Sequence, residues 1–85
     1  MEFEFDAEKS DANLEKHGID FVTAQNLWQD VDRLEAPARS EIEKRQMLIA
    51  KHSGKLWVAI FTVRGENIRI ISVRRARKIE EKRYD

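Results

Sequence analysis

Three arginines, Arg64, Arg69 and Arg74, recur through the apolar second half of the chain, and His17 stands directly before Gly18 in the first half. A guanidinium is planar, stays charged and offers paired donors, so it can grip a carboxylate or a phosphate. Histidine ordinarily titrates closest to neutrality, which makes His17 the natural candidate for moving protons. The same position also suits a histidine that only packs a helix end against its negative dipole. Lys16 beside it can hold a phosphate or lie along the surface as a solvated stem. His52, before Ser53-Gly54, reads as a solvated loop residue. With two histidines and no cysteine, no metal-ligand spacing arises, and neither a metal nor another cofactor is expected. No nucleophile triad, P-loop or dinucleotide fingerprint is present.

The arginines sit on a hairpin that the sequence registers. Leu56–Val63 and Ile68–Val73 are strongly apolar runs, and Gly65-Glu66 between them suits a type II′ turn with glycine first. Arg64 then faces Asn67, Thr62 faces Arg69 and Ile60 faces Ile71. One face carries Leu56, Val58, Ile60, Ile71 and Val73, with Thr62, Arg64 and Arg69 toward the turn. The other carries Trp57, Ala59, Phe61, Val63, Ile68 and Ile70, with Ser72 and Arg74 toward the far end. Both faces are mainly apolar, so the pair is expected to be central in a sheet and covered, at least in part, on both sides. An unpaired arginine is costly to bury, so the arginines belong at the rim, where an anion reaches them.

The remaining elements frame that hairpin. Phe3 and Phe5 alternate with acids, as in a short edge strand. Asp6 or Ser10 caps a helix that Gly18 stops in a left-handed conformation. Phe21, Ala24, Leu27 and Trp28 form the stripe of a second short helix, capped by Asp20 or Thr23. Val31–Glu35 reads as a short strand or an irregular stretch, and Ala36–Ser40 as a loop around the only proline, Pro37. From Ile42 the pattern turns to strands, with Gln46–Ala50 ahead of a turn at Ser53-Gly54. Arg74 to Tyr84 is charged, lacks glycine and proline, and reads as a helix, with Glu80 and Glu81 pairing locally with Arg77 and Lys78. Trp28 and Trp57 are expected in the core. The fold class is α+β, in the order β-α-α-(β)-β-β-β-α.

The net charge of zero hides a division. Residues 1–43 hold 12 acids and 4 bases, and residues 44–85 hold 12 bases and 4 acids. A basic half of this kind suits a phosphate-rich polymer or an acidic protein, while the acidic half supports solubility. Eighty-five residues make one small domain with a limited core, for which an obligate partner or self-association is expected. No run approaches the roughly 18 apolar residues of a membrane span. The acidic start does not resemble a signal peptide, and the absence of cysteine fits a reducing cytoplasm.

The order of motifs resembles a known family. It comprises Phe3-Glu4-Phe5-Asp6, Asn13-Leu14-Glu15-Lys16-His17-Gly18-Ile19 followed by Phe21, Val63-Arg64-Gly65, Ile68-Arg69-Ile70-Ile71-Ser72-Val73-Arg74-Arg75-Ala76, and a basic tail ending in Arg83-Tyr84. Together these resemble the BrnT family of type II toxins, within the broader RelE-like fold. The resemblance spans nearly the whole chain, with Leu34–Lys44 matching least. It implies a RelE-like domain over residues 1–85, with an N-terminal strand and two helices packed on an antiparallel sheet and a C-terminal helix. It also implies a metal-independent endoribonuclease that arrests growth and is neutralised by a BrnA-like ribbon-helix-helix antitoxin. Operator DNA would be met only through the toxin–antitoxin complex, in which a dimer is expected.

On that reading Arg64, Arg69 and Arg74 stabilise the anionic phosphorane formed when a ribose 2′-hydroxyl attacks the adjacent phosphate, and His17 serves as acid or base. Lys16, Arg75, Arg77, Lys78 and Tyr84 would bind the RNA, with Tyr84 stacking on a base or donating a proton. Two other readings are a non-enzymatic or inactive module whose basic face binds an acidic partner, and direct DNA binding by the tail. The latter lacks any visible helix-turn-helix.

Overall fold

The computed structural model describes residues 2–39 and 44–84. Ser40 and Ile42, the end of the expected loop and the start of the strand-rich pattern, lie outside them.

The order is β1 (Phe3–Glu4), α1 (Ala7–His17), α2 (Phe21–Ala24) running into a 3₁₀ turn (Gln25–Gln29), β2 (Leu34–Ala38), β3 (Arg45–His52), β4 (Lys55–Arg64), β5 (Asn67–Arg75) and α3 (Lys78–Tyr84). The fold is α+β. The five strands form one sheet in the order β1-β5-β4-β3-β2. β1 runs parallel to β5 and the other strand pairs are antiparallel, so the sheet is mixed. None of the described helices is long and apolar enough to cross a membrane.

Local chemistry fixes the helix ends. Asp6 caps α1 by accepting from the Glu8 and Lys9 amides. Gly18 closes it at φ 82°, a left-handed conformation that glycine adopts without a Cβ clash. Asp20 caps α2 through the Thr23 amide, a bond that leads the causes holding its carboxyl below the ordinary range. Ser10 lies inside α1 and accepts the Phe21 amide, tying the two helices together.

The core lies between the α2 side and one face of the sheet. Phe21, Leu27 and Trp28 meet Leu48, Ala59, Phe61 and Val73, with Phe3 and Phe5 packed at its margin. Edge-on ring contacts run from Phe3 to Trp28 at 5.0 Å and from Trp28 to Phe61 at 5.3 Å. Burial of apolar surface here is the main stabilising term.

Asn13 joins α1 to the sheet edge. Its Nδ2 donates to the carbonyls of Ile19 and Val73 at 2.8 and 2.9 Å, and the Val73 amide donates back to its Oδ1 at 3.2 Å. β1 pairs with β5 only at Ile68 and Arg69, so the Asn13 side chain serves the strand edge further along.

Three expectations change. The expected loop at Ala36–Ser40 is largely strand: β2 pairs from Leu34 to Ala38 with β3, and Pro37 is accommodated because β2 is the edge strand. The C-terminal helix begins at Lys78 rather than Arg74, because β5 continues to Arg75, which pairs with Trp57 and lies over its ring. The hairpin register is also broken once. The Gly65 turn, at φ 61°, sets Arg64 opposite Asn67 and Thr62 opposite Arg69 as read from sequence. Beyond Phe61↔Ile70, however, Ile60 pairs with Ser72, not Ile71. Ile71 is the extra residue of a β-bulge, and such an insertion moves every later side chain to the other face. Val73 therefore joins the core, while Ser72 and Arg74 move to the face of Thr62 and Arg69.

Candidate nucleic-acid interface

The bulge sets all three predicted arginines on the second face of the sheet, away from the core. They do not form one cluster there. Arg69 lies opposite Thr62 and Arg64 is two residues further along β4, both at the turn end. Arg74 lies opposite Val58, four residues away along β4, or about 13 Å at ordinary strand rise.

The two ends also differ in how their charges are met. Among the described residues the exposed Arg64 makes no hydrogen bond or ion pair. Among the described residues the Arg69 side chain has one loose contact, Nη1 to Glu4 Oε1 at 3.5 Å, with both side chains about one-third exposed, at 33% and 35%. A pair of that kind contributes little and exchanges readily for another anion. Arg74 is instead gripped by Glu80 through two parallel hydrogen bonds and also donates to the Arg75 carbonyl. The Glu80 hydrogen bonds raise the Arg74 pKa against a partial loss of solvent. The same bonds lead the causes lowering the Glu80 pKa, helped by the Arg77 amide. Glu80, one reading of which was local pairing with Arg77 on a solvated face, does accept the Arg77 amide, but it is 8% exposed and also bonds back to the strand.

The far end of the second face is thus held under α3. Ile49 and Val58, opposite each other in register, are buried on this face, apart from the main core cluster. Tyr84 anchors the other end of α3 by donating to Asp30 Oδ2 at 2.6 Å. The Lys51 amide donates to the same oxygen, and Lys51 Nζ lies 5.8 Å from the centre of the Tyr84 ring. Desolvation pushes the Asp30 pKa up, but the bonds from Tyr84, Lys51 and Asp32 outweigh it and leave the pKa lowered.

The other predicted residues are dispersed. His17 occupies the last turn of α1, half-buried, and no recorded hydrogen bond or ion pair connects it to the arginines. Lys16 beside it is exposed. Arg75 lies 5.5 Å from the Trp57 ring centre, on the core side of the sheet. Arg77 and Lys78 are exposed at the start of α3. Among the described residues no group of three histidine, cysteine, aspartate or glutamate side chains could hold a metal ion.

Two residues at the turn end escaped the sequence reading. Arg45 begins β3, and its two-residue spacing with Met47 and Ile49 sets it on the second face. The Gln46↔Phe61 register, extended by one residue, brings it beside Thr62. Thr62 is 5% exposed, and its Oγ1 has no hydrogen-bond partner among the described residues. The alternation Arg45-x-Met47-x-Ile49 was the available signal for the first; the hairpin register had already set the second opposite Arg69, but not its burial without a partner.

No curated protein matches the chain. The family model described as the ribonuclease toxin, BrnT, of type II toxin-antitoxin systems matches residues 5–80, which include the whole hairpin and both ends of the second face. The chain therefore belongs to the BrnT family of RNA-cleaving toxins, enzymes that act on RNA and are paired with an antitoxin protein.

Proposed function

We propose that the chain cleaves RNA without a metal ion, at the turn end of the second face, and that this arrests growth until a BrnA-like ribbon-helix-helix antitoxin covers the site. The observation that carries this reading is the placement of Arg64 and Arg69 as diagonal neighbours on one face, one with no described partner and the other in a loose, partly exposed ion pair. Attack of the ribose 2′-oxygen on phosphorus expels the 5′-oxygen and leaves a 2′,3′-cyclic phosphate and a 5′-hydroxyl. Charge builds on the non-bridging oxygens in the transition state, and two guanidinium forks there stabilise it.

The remaining residues take supporting parts. Arg74 acts through Glu80, holding α3 against the sheet beside the site. His17 is the candidate for moving a proton; the Tyr84 hydroxyl, engaged by Asp30 beside Lys51, lies six residues along the sheet from Thr62, about 20 Å at ordinary strand rise, and takes no part in proton transfer there. Lys16, Arg75, Arg77 and Lys78 extend the basic surface for the RNA backbone. A RelE-like origin of the fold and a cytoplasmic site of action belong to the same reading. The antitoxin competes with RNA for residues 64–83, and its complex carries the contacts with operator DNA and any dimerisation.

Induction of the lone gene, followed by mapping of cellular RNA ends, tests this. Growth should stop, new 5′-hydroxyl ends should appear, and both effects should vanish when the neighbouring antitoxin gene is co-expressed. Unchanged RNA in arrested cells would point instead to a protein-binding module.

A further inference from the structure

We propose that Arg45 and the buried hydroxyl of Thr62 complete a seat for a backbone phosphate of RNA, together with Arg69 and Arg64, a proposal that rests on the ribonuclease reading above. Thr62 is the centre of this arrangement. Its Oγ1 is buried and has no partner among the described residues. A buried hydroxyl without a hydrogen bond destabilises the fold, and valine has the same shape and suits a strand equally well. A hydroxyl at such a position calls for an acceptor that the described residues do not supply.

The strand register indicates which acceptor. Thr62 lies opposite Arg69 on β5, and Arg45 on β3 follows the register to its other side. Neighbouring strands place such residues about 4.5–5.5 Å apart at Cα. Arg64, two residues along β4, is on the same face and exposed. The hydroxyl therefore lies between guanidinium stems from both neighbouring strands, with a further cation at the open end. An anion whose oxygens each accept more than one hydrogen bond fits this geometry, since two oxygens can take guanidinium donors while one of them also takes the Thr62 hydroxyl. A phosphodiester meets that requirement and is the repeating anion of the substrate. Arg45 is already engaged in the free protein, so the phosphate acts as a competing acceptor there. The seat opens when the long arginine side chains part.

The test uses the purified full chain with a fluorescent RNA oligonucleotide made uncleavable by 2′-O-methylation, titrated across a salt series. Thr62→Val should keep or raise the melting temperature, because it removes an unpartnered hydroxyl, and should weaken binding about tenfold, as loss of one charge-assisted hydrogen bond does. Thr62→Ser should restore most of the affinity. Arg45→Gln should lower the slope of log affinity against log salt by about 0.7, the share of one phosphate contact on a single strand. Wild-type binding by Thr62→Val, or an unchanged slope in Arg45→Gln, overturns the seat. Unmodified RNA left intact by the wild-type chain, with these binding losses still present, would overturn the ribonuclease reading and leave the seat standing.

Discussion

Arg74 on β5 and Glu80 on α3 meet through paired hydrogen bonds, Nη1 to Oε1 at 2.8 Å and Nη2 to Oε2 at 2.7 Å. The pair is about three-quarters buried on the arginine side and nine-tenths on the glutamate side, at 26% and 10% exposure. It fastens the start of α3 to the sheet, and it exists because the bulge at Ile71 turned Arg74 onto the second face.

Glu80→Gln should therefore destabilise the fold by about 1–3 kcal/mol, because it leaves a partly buried guanidinium with a weaker partner. Urea unfolding at neutral pH measures this.

The same pair sets an acid limit. Arg74 holds the folded Glu80 pKa below its ordinary value of 4.5. A lowered carboxylate pKa contributes stability that is fully present above the unfolded value and is lost as pH falls through the folded one. Wild-type stability should fall on acidification below about 4.5 more steeply than that of Glu80→Gln, with the two curves converging at the acid end. Parallel curves across that window would contradict the pairing.

Tyr84→Phe should release the far end of α3 from Asp30 at a cost of about 1 kcal/mol, the net value of one hydrogen bond. Hydrogen exchange should quicken along α3 and leave β4 unchanged. Combined with Glu80→Gln, the loss should depart from additivity, since both bonds hold the same short helix.

Asn13→Ala should cost about 1–3 kcal/mol, because the carbonyl and amide of Val73 both lose a buried partner. Asn13→Asp should not rescue it, since a carboxylate accepts but cannot donate to the Ile19 and Val73 carbonyls. Thermal melts of the two variants check this and test whether Asn13, part of the motif that carries the family resemblance, serves the fold rather than the chemistry.

Much of this fold was legible because local rules act alone where they were read. Asp6, Gly18, Asp20 and the Gly65 turn each satisfy backbone requirements within a few residues. The bulge at Ile71 was not legible. Both faces of the hairpin are apolar, so the side-chain pattern carries no mark of an extra residue, and the faces assigned to Ser72, Val73 and Arg74 were exchanged. β2 was hidden by Pro37, which excludes a central strand but not an edge. At the site, the arginines of the hairpin were visible from type and spacing. Arg45 was not, because its place follows from the β3 register, and Thr62, though set opposite Arg69 by the hairpin register, carried no sign of a buried hydroxyl without a partner. Glu80 looked like one charge in a solvated run, and only the contact with β5 separates it from Glu81.

The central claim is that Arg64 and Arg69 stabilise RNA cleavage without a metal ion. The direct measurement is the rate at which the purified chain cuts 5′-labelled RNA in excess chelator, for the wild type and for the Arg64→Ala/Arg69→Ala double variant. The wild type should cut and leave 5′-hydroxyl ends, while the folded double variant should lose about 100-fold or more in rate. Cleavage at the wild-type rate by that folded variant, or a wild type that cuts only when a divalent metal is restored, would contradict the account.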